Sequence, residues 1–183
     1  IVLDRELSEL DLFVINFTSI LQKHIPYVII SGYVAILFGR SRTTEDVDLF
    51  INKISQTAFK TLYEDLKKAG FWSLNSDSEI ELYEMLCDKI AIRFAPHGTS
   101  LPNVEVKFIK NKIDQHTFDT RLTVKLGMDT LFVSDIGLQI AYKKYILGSK
   151  KDCEDARHLQ TLFDISEDII KKNGLLLEKY GKI

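Results

Sequence analysis

The stretch Val28–Ile51, "VIISGYVAILFGRSRTTEDVDLFI", is the strongest constraint in the chain. An apolar run halts at Ser31-Gly32, and fourteen residues later Asp46-Val47-Asp48 opens a second apolar run. In a strand, residues i and i+2 share a face, so Asp46 and Asp48 project side by side with Cα atoms roughly 6–7 Å apart. Val47, Leu49 and Ile51 then line the opposite face, and Phe50 follows Asp48 on the carboxylate face. Two carboxylates so placed repel each other and are costly to desolvate unless positive charge accompanies them. A divalent cation meets that need, and hard oxygen donors suit Mg²⁺ or Mn²⁺, which keep waters and take phosphate as further ligands. The plain alternative is a solvated Asp pair at a loop exit.

Hydrophobic periodicity places this stretch in a larger frame. From Asp4 to about Lys23 the apolar residues Leu7, Leu10, Phe13, Val14, Phe17 and Leu21 predict a helix, ended by Pro26. "YVIIS" predicts a buried strand, "YVAILF" a short helix stopped by Gly39, and "DVDLFI" a second strand. A helix follows from the Ser55 cap to Gly70, and "SEIELYEML" is a further helical segment. "KIAIRFA" and "NVEVKFI" predict strands, and "RLTVKLG" with "DTLFVS" predicts a hairpin around Gly127. Helices are expected over 135–148, 151–163 and 166–180. The outline is an α+β, α/β-like fold: a mixed sheet with flanking helices and a C-terminal helical bundle. The expected division is a core over 1–133 and a helical region packed on it over 134–183.

Composition excludes several classes. The 183 residues suffice for a sizeable core, and a net charge of −2 gives no global drive towards nucleic acid or anionic membrane. No apolar run approaches the length that spans a bilayer, so no membrane association is expected. Cys87 and Cys153 lack metal or disulfide spacing and fit a cytoplasmic setting. Nucleotide-loop, dinucleotide-loop, zinc-protease and serine-hydrolase motifs are all missing from the sequence.

The segment from Ser31 to Asp48 resembles the signature of the nucleotidyltransferase superfamily, the polymerase-β-like fold. In particular it resembles minimal nucleotidyltransferases related to the AbiE-type toxin component. The match runs through Ser31, Gly32, Tyr33, Ala35, Gly39, Arg42, Thr44, Asp46 and Asp48, and departs from the family in having Ser31 for the first Gly. "IAYKKYILGSKKDCEDARHL" resembles the C-terminal helical segment of the same relatives through Lys143, Lys151, Asp152 and Asp155. The resemblance implies a catalytic core over 1–133 that binds an NTP and transfers its NMP to a hydroxyl of tRNA, protein or a small molecule. It implies Mg²⁺ or Mn²⁺ held by Asp46, Asp48 and a third carboxylate, for which Glu105 in "NVEVKFI" is the candidate. Lys143 is implied to face the nucleotide, and Ser31, Gly32, Arg40, Arg42 and Thr44 to bind it. It also implies a toxin role with an antitoxin partner.

The residues leave competing readings open. Lys107 shares the face of Glu105, so a structural ion pair competes with metal ligation. Arg40 and Arg42 also read as solvated loop charges, and Asp152 and Asp155 as favourable charges in a helix first turn. Lys144 and His158 read as helix-surface residues. The competing function is a catalytically inactive module that keeps the fold to sense nucleotides or bind a partner.

Overall fold

The computed structural model describes residues 1–180; positions 181–183, at the end of the expected C-terminal region, lie outside the described residues. The chain runs β1 (Val2–Leu3), α1 (Glu9–Leu21), β2 (Tyr27–Ile29), α2 (Gly32–Leu37) and β3 (Asp46–Ile51). It continues through α3 (Gln56–Lys68), β4 (Phe71–Ser73), α4 (Glu79–Cys87), β5 (Ile92–Pro96) and β6 (Asn103–Phe108). After α5 (Lys112–Asp119), the hairpin β7 (Leu122–Leu126) and β8 (Asp129–Val133) leads to α6 (Ile136–Tyr142). A π-helical turn (Lys143–Leu147), α7 (Lys150–Leu162) and α8 (Glu167–Lys179) complete it. No helix among the described residues is long and apolar enough to cross a membrane.

Local chemistry sets the boundaries. Except at α2, each α-helix starts at a Ser, Asn or Asp whose side chain accepts a backbone N–H of the first turn. The first helix begins at Glu9, later than its apolar pattern predicts, because Ser8 and Asp11 form a capping box. Arg5 lies outside the helix and donates to the Asp11 carboxylate at 2.7 and 3.0 Å. The expected helix over 135–148 is α6 followed by the π turn, and π turns of this kind frequently accompany functional sites.

The eight strands form one mixed sheet in the order β1-β7-β8-β2-β3-β6-β5-β4. Strands β2 and β3 are antiparallel, while β3 and β6 are parallel, with Asp48 opposite Glu105. The hairpin forms around Gly127 as its sequence predicts. One contiguous apolar core includes Val47, Leu49 and Ile51 from β3, Val104 and Val106 from β6, and Phe17 and Leu21 from α1. It extends through Ile140 of α6, Leu159 of α7 and Leu177 of α8, so the C-terminal helices share the core of the sheet. The opposite face of β3 and β6 carries Asp48, Phe50, Glu105 and Lys107, with α5 packed against β2 and β3.

Candidate active site

Strand β3 sorts its residues as period-two alternation requires. Val47, Leu49 and Ile51 are fully buried, while Asp46 is exposed and Asp48 and Phe50 are partly buried. The Asp48 backbone carbonyl accepts the N–H of Ile30 at 2.9 Å, which fixes the carboxylate strand beside the exit of β2. That exit is held from the far side. Gln139 of α6 donates to the Ser31 carbonyl at 2.7 Å, and Ser134 after β8 donates to the Gln139 side chain at 3.0 Å.

A cavity of about 310 Å³ opens at this junction. Ser31, Asp48, Phe50 and Lys107 line one side; Tyr142 and Lys143 of the C-terminal segment line another. The rest of the wall includes Lys110, Asp114 and Thr117 around α5. Apolar walls with a few convergent polar groups are the usual make-up of a small-molecule site. Asp46 and Thr44 lie outside this lining; the Thr44 hydroxyl donates to the Asp46 backbone carbonyl at 3.0 Å and to its carboxylate at 3.2 Å.

Glu105 has an environment of its own. Its Oε1 accepts from Arg93 Nη2 at 2.5 Å and Nε at 2.7 Å, and Lys107 Nζ reaches its Oε2 at 2.8 Å. The same Lys107 ammonium sits 2.5 Å from Asp48 Oδ1. Burial alone pushes the Glu105 carboxyl up, but donation from Lys107 and Arg93 outweighs it and holds the pKa at about 2. Asp48 goes the other way: burial, together with the neighbouring Glu105 carboxylate, raises its pKa against the lowering by Lys107. Burial also raises the Tyr142 hydroxyl, with Asp114 and Asp48 contributing in the same direction.

The loop arginines and Lys143 converge on α7. Arg42 forms a two-pronged pair with Asp155, Nε to Oδ1 at 3.0 Å and Nη2 to Oδ2 at 2.8 Å. Lys143 Nζ meets Asp155 Oδ2 at 2.9 Å and Asp152 Oδ1 at 3.3 Å. Arg40 pairs with Glu154 at 2.6 Å. Burial raises the Asp155 pKa, but its cationic partners lower it further and leave it below the usual carboxylate range. Because α7 starts at Lys150, Asp155 lies beyond its first turn, and being fully buried it is a charge hub; Asp152, paired with the Ser149 cap, does occupy the first turn. His158 meets the Phe38 carbonyl at 2.9 Å, and Lys144 pairs with Glu167 at the surface.

The structure therefore gathers Ser31, Asp48 and Lys143 around the cavity, with Lys143 turned onto the α7 carboxylates. Arg40 and Arg42 are committed to α7, and Glu105 to Arg93 and Lys107. Among the described residues, no three His, Cys, Asp or Glu side chains are grouped to hold a metal ion. Glu105 does not fit as a third ligand, because both of its oxygens accept from protein cations. Asp46 and the remaining oxygen of Asp48 are two hard donors, the number Mg²⁺ uses when it arrives on a triphosphate. Lys110, which belongs to no motif in the sequence, lines the cavity with no ion-pair partner among the described residues. Only its place two residues before α5 gives a signal, and that signal is weak.

No protein-family model matches the chain, and neither does any curated protein sequence. Solved structures match in fold. An antigenic nucleotidyltransferase-like protein from Paracoccidioides brasiliensis superposes with a TM-score of 0.52 at 18% identity, over 91% of this chain and 87% of that one. The antibiotic-resistance factor ANT(2'')-Ia superposes with a TM-score of 0.57 at 10% identity, over 92% of this chain and 90% of that one. The mixed sheet that sets Asp48 beside the Ser31 turn thus has the fold of nucleotidyltransferase-like proteins.

Proposed function

We propose that this chain is a nucleotidyltransferase that moves NMP from an NTP–Mg²⁺ complex to a hydroxyl of RNA, protein or a small molecule. The observation that carries this reading is the meeting of Asp48 with the Ser31 turn and Lys110 in a single cavity of this fold. Ser31 and Lys110 would hold the triphosphate, and Asp46 and Asp48 would hold the Mg²⁺ that accompanies it. That ion supplies charge neutralisation on the triphosphate oxygens. The acceptor hydroxyl oxygen forms a bond to the α-phosphorus as the bond to the bridging oxygen breaks; the hydroxyl proton passes to water, and pyrophosphate leaves. Glu105, held at about 2, is a poor proton acceptor at neutral pH and is assigned no general-base role. A toxin role with an antitoxin partner rests on the resemblance of Ser31–Asp48 alone.

The test is label transfer from α-³²P NTPs, with Mg²⁺ or Mn²⁺, to RNA and protein from a cell extract. The wild type is expected to label one acceptor class, and Asp48→Asn to lose about 10²-fold or more of that activity, the scale of a lost transition-state electrostatic contact. Transfer that survives both Asp46→Asn and Asp48→Asn would overturn the assignment. A second reading, a nucleotide-sensing or partner-binding module, is favoured by the internal pairing of Arg40, Arg42, Glu105 and Lys143. Nucleotide binding without transfer to any acceptor decides for that module.

A further inference from the structure

Lys107 occupies an unusual position for a lysine. It shares a face of β6 with Glu105, and its ammonium bridges carboxylates from two neighbouring strands. The parallel register sets Asp48 directly opposite Glu105, and the antiparallel register sets Arg93 opposite Glu105 on the other side. The row across three strands therefore reads Arg93, Glu105, Asp48, with Lys107 Nζ between the two acids at 2.8 and 2.5 Å. Two cations balance two carboxylates, and the row is electrically neutral before any ion arrives.

We propose that Lys107 is a built-in cation standing where a second divalent ion would bridge Asp48 and Glu105, so that this site works with one metal, the one carried by its nucleotide. The proposal rests on the nucleotidyl-transfer reading for its biological meaning, and on the geometry of the row for its physical content. In two-metal sites the ions sit roughly 3.5–4 Å apart and share bridging ligands. Here the bridging space between Asp48 and Glu105 holds an ammonium that lines the cavity. A divalent ion drawn to the same oxygens meets like charge at contact distance and finds both Glu105 oxygens already engaged by cations. Lys107 cannot leave easily, because withdrawing it strands the buried Glu105 and the partly buried Asp48 facing each other. Arginine at this position keeps the charge, whereas methionine keeps the volume of the stem and removes it.

Counting bound Mn²⁺ by the paramagnetic resonance of the free ion tests this without any turnover. With α,β-methylene-ATP present, the wild type is expected to bind one Mn²⁺ per chain, and Lys107→Met two. With Mn²⁺ alone, Lys107→Met is expected to bind at least about tenfold more tightly than wild type, since it exposes an acidic pair. Lys107→Arg is expected to match the wild type in both measurements. Two Mn²⁺ per wild-type complex would overturn the proposal, and that count needs no variant to fold. Unchanged Mn²⁺ binding in folded Lys107→Met would overturn it as well. Failure of the wild type to bind the nucleotide analogue counts against the transferase reading alone; the Mn²⁺-only comparison then decides the role of Lys107.

Discussion

Ser31 and Gly32 look like one turn motif in the sequence, yet the two residues answer different demands. Ser31 has φ 66° and ψ −136°, a backbone conformation that suits glycine and strains any residue with a Cβ. Gly32 has an ordinary backbone but no room: a Cβ there would lie 2.6 Å from Arg42 Nη2, which its pair with buried Asp155 holds in place. The small residue is thus needed at 32 for contact and at 31 for conformation. Ser31→Gly is expected to raise stability by about 1 kcal/mol, strain relief exceeding the extra entropy of an unfolded glycine. Urea unfolding measures it, and a lower midpoint with unchanged slope would contradict the strain argument. The same variant reports on the hydroxyl, which accepts no capping N–H of α2. A weaker affinity for α,β-methylene-ATP in a more stable protein would assign that hydroxyl to the ligand.

Helix α7 is fastened to the loop between α2 and β3 by charge as well as by the edge-on contact of Phe38 with Phe163. Asp155 receives both prongs of Arg42 and the Lys143 ammonium, joining segments 113 and 12 residues apart in sequence. Asp155→Ala leaves Arg42 without its carboxylate and the buried Lys143 with Asp152 alone, and is expected to cost about 3–5 kcal/mol, read from chemical denaturation. A loss below 1 kcal/mol would mean that the hub is solvated in practice. This network also marks the limit of what the sequence discloses. The strands flanking the Asp-Val-Asp, the hairpin at Gly127 and the Ser55 cap follow from periodicity and local hydrogen bonding, and the structure has them. Strands β1 and β4 span two and three residues, too short to show alternation, and are defined by the neighbours they pair with. Helix α5 places few apolar residues among polar ones, and only its Asn111 cap announces it. For the site, the face shared by Asp46 and Asp48 and the rivalry between Lys107 and Glu105 are legible at spacing two. The partners of Arg42 and Lys143 depend on how α7 docks, which no local pattern records.

Among the described residues, three buried carboxylates tie distant segments together while carrying lowered pKa values. Burial raises each one, but Arg5, Ser8 and Tyr33 lower Asp11 further, Lys107 and Arg93 lower Glu105, and Arg42 and Lys143 lower Asp155. For a lowered carboxylate the stabilisation is complete above its unfolded value and is lost as pH falls through the folded one. For Glu105 that window runs from 4.5 down to about 2, so the fold is expected to weaken in acid over this range. Asp48 has the opposite sign. Its pKa is raised from 3.8, so its contribution is complete below 3.8 and is lost as pH rises through the folded value. An ionised Asp48 is therefore a cost the fold carries at neutral pH, as expected of a group kept for binding rather than for stability. Asp48→Asn removes that cost while its amide oxygen can still accept from Lys107. Unfolding in urea at pH 3, 5 and 7 is expected to show the variant gaining on the wild type as pH rises. The gain is at most about 1.4 kcal/mol per pH unit, the value of one proton. If the variant instead falls behind between pH 3 and pH 7, the Lys107 pair outweighs desolvation and Asp48 belongs among the stabilising carboxylates.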